Sequence, residues 1–273
     1  MSHSALADPG LCQPFKLQGL AYSTTRRREP ALAQLWSIVT VAPNVVVHTA
    51  AETNVDRCET QRDVARRINV EGTANIAQAC VRVRAKLIFV STDYVFDGDK
   101  GNYAETDEPN PINFYGLTKL EAERIAASIS SDFLMVRTSV LYGCHPTKLN
   151  FATWILKGLR ERQTMKVVND HINSPTFAGN LADAIHRAIE LRSQGTLHIA
   201  GSQRISRFDF ARRIAMQFDL DESLLLPVKM KDLDWIARRP RDSSLNVGKA
   251  ENELGMELFG VGRGLEQMAR SEP

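Results

Sequence analysis

The stretch "KLIFVSTDYVFDG", Lys86–Gly98, decides the fold. Its first half is a continuous apolar run, the pattern of a strand buried on both faces of a parallel sheet. Its second half breaks into two hydroxyls, an acid and an aromatic. Ligands of open parallel sheets bind beyond the carboxyl ends of the strands, so Thr92 falls where chemistry is expected.

Working outward, "NVVVHTAA" (Asn44–Ala51) reads as a second buried strand and "FLMVRTSVLYG" (Phe133–Gly143) as a third. Asp63–Val83 reads as one helix, with Val64, Ile68, Ile76, Ala79, Cys80 and Val83 at helical spacing. Gly116–Ile129 reads as another. Strand–helix–strand alternation implies an α/β fold, a Rossmann-like doubly wound parallel sheet. Beyond Gly143 the texture turns helical, with Ser206 as an N-cap and a last helix near Val261–Arg270. The glycines at Gly260, Gly262 and Gly264 read as a turn before it. The expected division is a cofactor-binding domain over 1–145, incomplete at its N-terminus, and a smaller α/β substrate lobe over 146–273, interleaved with it.

The bulk numbers are ordinary. The chain has 273 residues and a formal net charge of +2, which gives no global pull toward nucleic acid or membrane. The four cysteines form no CxxC pair, no metal site is read, and "MSHSALADPG" carries no secretory pattern. A cytoplasmic protein is expected.

In "FYGLTKLEAE", Tyr115 and Lys119 stand four apart at a helix start and share one face. An adjacent ammonium and a helix N-terminus favour phenolate, so the Tyr115 pKa is expected to fall. Thr92, Tyr115 and Lys119 then make a hydroxyl–Tyr–Lys triad for reducing a ketone. Thr92 polarises the carbonyl, Tyr115 gives the proton, and Lys119 also reaches a ribose.

The ordered segments "HTAAETNVDRCE", "INVEGTANIAQAC", "STDYVFDG", "YGLTKLEAE", "RTSVLYG", "VVNDHINSPT" and "ARRPRDSSL" resemble the extended short-chain dehydrogenase/reductases, and among them the dTDP-4-dehydrorhamnose reductases. The resemblance implies NADPH, with NADH as the alternative, and a nucleotide-linked 4-keto-6-deoxyhexose as substrate. It places Ala50, Ala51, Asn69, Ser91, Tyr115 and Lys119 at the cofactor. Asp93 and Tyr94 are expected to line the sugar pocket, and Arg239 to meet a substrate phosphate. A homodimer is a further expectation.

Three departures stand out. No TGxxGxxG loop lies between Met1 and Asn44, so the expectation is either a first strand and glycine loop lost through truncation or a misplaced start, or a natural variant that binds cofactor poorly. "GLAYSTTRRR" (Gly19–Arg28) reads either as a solvated loop or as the second Rossmann strand and its following loop, which would set Arg26 or Arg27 at an NADP 2′-phosphate. Val140 stands where these reductases often carry tryptophan, and His171 and Asn173 replace the glutamine and glycine of "DQxGxPT". Other readings are a regulatory subunit on the same fold, like the methionine adenosyltransferase β subunit, and a sugar-nucleotide epimerase or dehydratase.

Overall fold

The computed structural model describes residues 37–145 and 148–271. Arg26, Arg27 and the glycine-poor segment before them lie outside the described residues. Four parallel strands form the main sheet in the order β1 (Val45–His48), β2 (Lys86–Thr92), β3 (Phe133–Thr138) and a fourth from Gly195–His198. Val47 stands beside Ile88, and Val90 beside Val136. The expected α/β architecture is therefore present. β2 matches its sequence reading residue for residue because its apolar run has no local competitor.

Two expected elements are divided. The helix read over Asp63–Val83 is a short helix at Arg62–Arg66, a π turn at Arg67–Glu71, and a helix at Gly72–Val83. The π turn carries the buried Asn69, whose amide bonds Glu52 and Thr118. The third strand breaks after Thr138. Val140 takes φ +44°, a left-handed backbone that a β-branched residue rarely adopts. The chain then resumes as β4 (Leu141–Tyr142), which pairs with β7 (Thr176–Phe177) in the second body of packing. Between them lie β5 (Met165–Val168) and β6 (Ile172–Asn173). Gly195–His198 is β8, followed by β9 (Ile205–Ser206) and β10 (Leu225–Val228).

Residues after 145 serve two cores. The helix at Ala178–Glu190, β8 and the helix at Gly248–Leu254 pack with Ile88 and Val136 on the main sheet. Ile155, Leu156, Phe210, Ile214, Leu265 and Met268 form a separate core with Tyr142. The last helix runs Val261–Arg270, as its sequence reads. Its Gly264 is a close-approach position, because a Cβ there would meet the Tyr142 hydroxyl at 1.9 Å. Ser206 caps Arg207–Gln217, accepting from the Asp209 amide at 3.0 Å. No helix among the described residues is long and apolar enough to cross a membrane.

Candidate active site

Thr92 closes β2, and the chain turns at once into a 3₁₀ turn, Asp93–Val95. The facing helix, Phe114–Ile129, is started by Asn113, whose side chain accepts from the Gly116 amide at 2.8 Å. Gly116 lets this helix lie directly on the turn: a Cβ would come within 2.1 Å of the Tyr94 carbonyl oxygen. That contact brings the Tyr115 phenol to the Thr92 hydroxyl. One helical turn later, Lys119 is buried, donating to the Val90 carbonyl at 2.8 Å and lying 4.0 Å over the Phe89 ring. The structure thus brings Thr92, Tyr115 and Lys119 together.

The electrostatics correct one expectation. Burial pushes the Tyr115 phenol above its ordinary pKa, and Asp93 and Tyr94 add to the rise. The hydrogen bond with Thr92 opposes it. The Lys119 amine is turned to the Val90 carbonyl of the sheet backbone. Burial also pulls Lys119 down to about 7, against a smaller upward pull from Glu123. Glu123 is itself taken up by Arg137 in a buried two-pronged pair, Nε to Oε1 at 3.1 Å and Nη2 to Oε2 at 2.8 Å. Tyr115 is therefore a firm holder of its proton, the form a general acid needs.

On the cofactor side, Ala50 and Ala51 follow β1 and offer no bulk. The Ser91 hydroxyl is buried with no partner among the described residues. Lys119 has N–H directions left beyond its one carbonyl. Small residues, an unmet hydroxyl and an ammonium beside a strand end fit the ribose end of a dinucleotide. Asn69 is tied to its surroundings by three hydrogen bonds. Its Oδ1 accepts from the Glu52 amide at 2.8 Å, and its Nδ2 donates to the Glu52 carbonyl at 3.2 Å and to Thr118 Oγ1 at 2.9 Å. These three bonds hold the loop after β1 against the Tyr115 helix. His48, below that loop, is held neutral by burial and by Lys119, with its pKa near 4.

On the substrate side, Asp93 does not present a free carboxylate. It is 3% exposed. Its Oδ1 accepts from Thr92 at 3.0 Å, and its Oδ2 from Ser139 at 2.8 Å and Ser243 at 2.5 Å. Its part is to fix the Thr92 hydroxyl and gather three loops. Tyr94 stands beside the phenol: its ring meets Tyr115 edge-on at 5.9 Å, and its hydroxyl stands 3.5 Å from His171 Nε2. Arg239 is engaged internally. Nη2 pairs with Asp56 at 3.0 Å, Nη1 donates to the Ala237 carbonyl, and the guanidinium stacks on Trp235.

The sequence reading passed over Arg207. The guanidinium lies 4.8 Å over the Phe151 ring, and Nε donates to Asn173 Oδ1 at 2.8 Å. A signal was available: a cation in the first turn of a helix opposes the helix dipole and asks for a reason. Trp235, edge-on to His171 at 6.1 Å, had no local signal.

A strand-end hydroxyl beside a Tyr–Lys helix defines a short-chain reductase type of site. The RmlD substrate binding domain family model matches residues 13–272, and the chain belongs to this family. It is 32% identical to a dTDP-4-dehydrorhamnose reductase of Escherichia coli, over 97% of this chain and 92% of that one. It is 32% identical to the methionine adenosyltransferase 2 subunit beta of Bos taurus, over 81% of this chain and 66% of that one. Among solved structures, a dTDP-4-dehydrorhamnose reductase from Bacillus anthracis in complex with NADP superposes with a TM-score of 0.83. It shares 33% identity over 88% of this chain and 85% of that one.

Proposed function

We propose that this chain is an NADPH-dependent reductase of the 4-keto group of a nucleotide-linked 6-deoxyhexose. The observation that carries the reading is the meeting of Tyr115, Thr92 and Lys119 at the end of β2. NADPH, when bound, supplies the hydride. Tyr115 holds its proton at neutral pH and gives it to the sugar C4 oxygen as negative charge develops there. Thr92, held by Asp93 and the Tyr94 amide, fixes that oxygen against the phenol. Lys119, at the carbonyl of Val90, turns its remaining N–H groups to the nicotinamide ribose, beside Ala50 and Ala51. Tyr94 forms the wall of the sugar pocket. Residues 1–145 supply the cofactor side and 146–273 most of the substrate side. Exposed Ile68 and Leu117, on neighbouring helices, support a homodimer, and the reaction suits the cytoplasm.

The test is Tyr115→Phe with dTDP-4-keto-6-deoxyhexose and NADPH. Oxidation of NADPH is expected to fall by about 10²–10⁴-fold. Turnover equal to wild type would remove Tyr115 as the acid. The kinship with the methionine adenosyltransferase β subunit supports a second reading, a regulatory subunit. Under that reading, stable complex formation with a catalytic partner would occur without any NADPH oxidation.

A further inference from the structure

We infer that Arg207, and not Arg239, is the guanidinium that receives the diphosphate of the substrate, at the phosphate joined to the sugar. This rests on the nucleotide-sugar reading above.

The two arginines differ in what they already hold. Arg239 has a carboxylate partner in Asp56 and a backbone acceptor in Ala237, so both terminal nitrogens are engaged. Arg204, close by in sequence, pairs with Asp242. Arg207 has no carboxylate within salt-bridge reach among the described residues. Its Nε goes to the Asn173 amide, its fork reaches the Tyr94 hydroxyl, and its face covers Phe151. The Asp93 carboxylate acts on it only from beyond salt-bridge distance, so a largely desolvated guanidinium lacks a contacting anion, and an incoming one offsets that cost. The aromatic face and the amide fix the plane of the fork, which suits two-point contact with a phosphate.

Position selects which phosphate. Tyr94 lies between Arg207 and the catalytic phenol, its ring edge-on to Tyr115. A hexose with its C4 oxygen at Tyr115 spans the Tyr94 wall and brings its C1 phosphate toward Arg207. The start of the Arg207–Gln217 helix adds its positive end to the same place. Asn173 makes the arrangement particular to this chain. Its amide accepts from Arg207 and donates to Ser243 at 2.9 Å, with the Asp93 carboxylate 3.5 Å away. A glycine at 173, as in "DQxGxPT", would have no side chain to hold the fork.

The experiment measures binding by calorimetry without cofactor, using thymidine diphosphate and thymidine monophosphate on wild type, Arg207→Gln, Arg207→Lys and Arg239→Gln. Arg207→Gln is expected to weaken the diphosphate by about tenfold or more and to leave the monophosphate within about threefold. Arg207→Lys recovers part of the loss, because charge returns without the fork. Thermal unfolding of each variant separates lost binding from lost folding, and partial rescue by lysine counts only in a folded protein. Undiminished diphosphate affinity in folded Arg207→Gln, or selective diphosphate loss only in Arg239→Gln, overturns the assignment while leaving the reductase reading intact. Diphosphate binding that depends on Arg207 in a protein that never reduces the keto sugar upholds the assignment and sinks the reductase reading. A wild type that binds no diphosphate overturns both.

Discussion

Replacing Gly116 by alanine tests how the site is assembled. The new Cβ would stand 2.1 Å from the Tyr94 carbonyl oxygen, a backbone atom that cannot swing aside. Relief requires the helix and the turn to part by about 1 Å, a displacement that costs on the order of 10²-fold in rate when it falls between reacting groups. Overpacking of this kind costs about 1–3 kcal/mol, and the better helix propensity of alanine returns up to about 1 kcal/mol. The net loss should lower the unfolding temperature by about 2–6 °C. The assay pairs NADPH oxidation with differential scanning calorimetry. Gly262→Ala is the control, since nothing lies within 4 Å of its added methyl; it should keep wild-type stability or gain slightly. A Gly116→Ala enzyme with wild-type turnover and unfolding temperature would refute the claim that this contact sets the Tyr115–Thr92 geometry.

Three further outcomes follow from the same contacts. The Lys119 pKa falls from 10.5 to about 7 on folding, so the unfolded chain binds a proton the folded one lacks between those values, and stability rises with pH across that window. Lys119→Met should therefore be more stable than wild type by a few kcal/mol at pH 6, on the order expected for such a shift, with a smaller gap at pH 9.5; urea unfolding showing the same gap at both values would contradict this. His48, His171 and His198 are buried with pKa values well below 6.5, so folding loses stability as pH falls through the unfolded value. Three protons taken up on unfolding correspond to about 4 kcal/mol per pH unit near pH 5, and an acid-unfolding midpoint below pH 3 by circular dichroism would be inconsistent with it. Asp56→Asn frees Arg239 from its clasp and should raise KM for the keto sugar several-fold. Stability should fall by less than about 1 kcal/mol, because the pair is partly exposed. An unchanged KM would show that the clasp does not shape the pocket.

The elements that carry the site were legible where the signal is local. The apolar run of β2 fixes a buried strand, the Tyr–Lys spacing fixes one helical face, and Ser206 marks its helix start. What escaped depends on distant partners. Nothing near Gly195–His198 says that it docks beside β3 in the main sheet. Asn69 gave no sign that its amide would be spent on Glu52 and Thr118. Asp93 looked like a pocket carboxylate because Ser139 and Ser243 lie 46 and 150 residues away. The Tyr115 pKa ran opposite to expectation because burial, with Asp93 and Tyr94 beside it, disfavours the phenolate, and no spacing rule contains that burial. Arg207 was overlooked although its place in a first helical turn was itself a clue.

The arrangement around Asp93 also sets an order of events as the chain is made. The carboxylate is free to leave water only when hydroxyls from Ser139 and Ser243 are in place. Ser243 lies 150 residues further along the chain, and closing so long a loop is slow. Until then the strand end stays hydrated and Thr92 keeps no fixed direction. The reaction centre is thus among the last parts to set: a chain whose strands have paired but whose Ser243 segment has not docked holds Thr92 without a fixed direction.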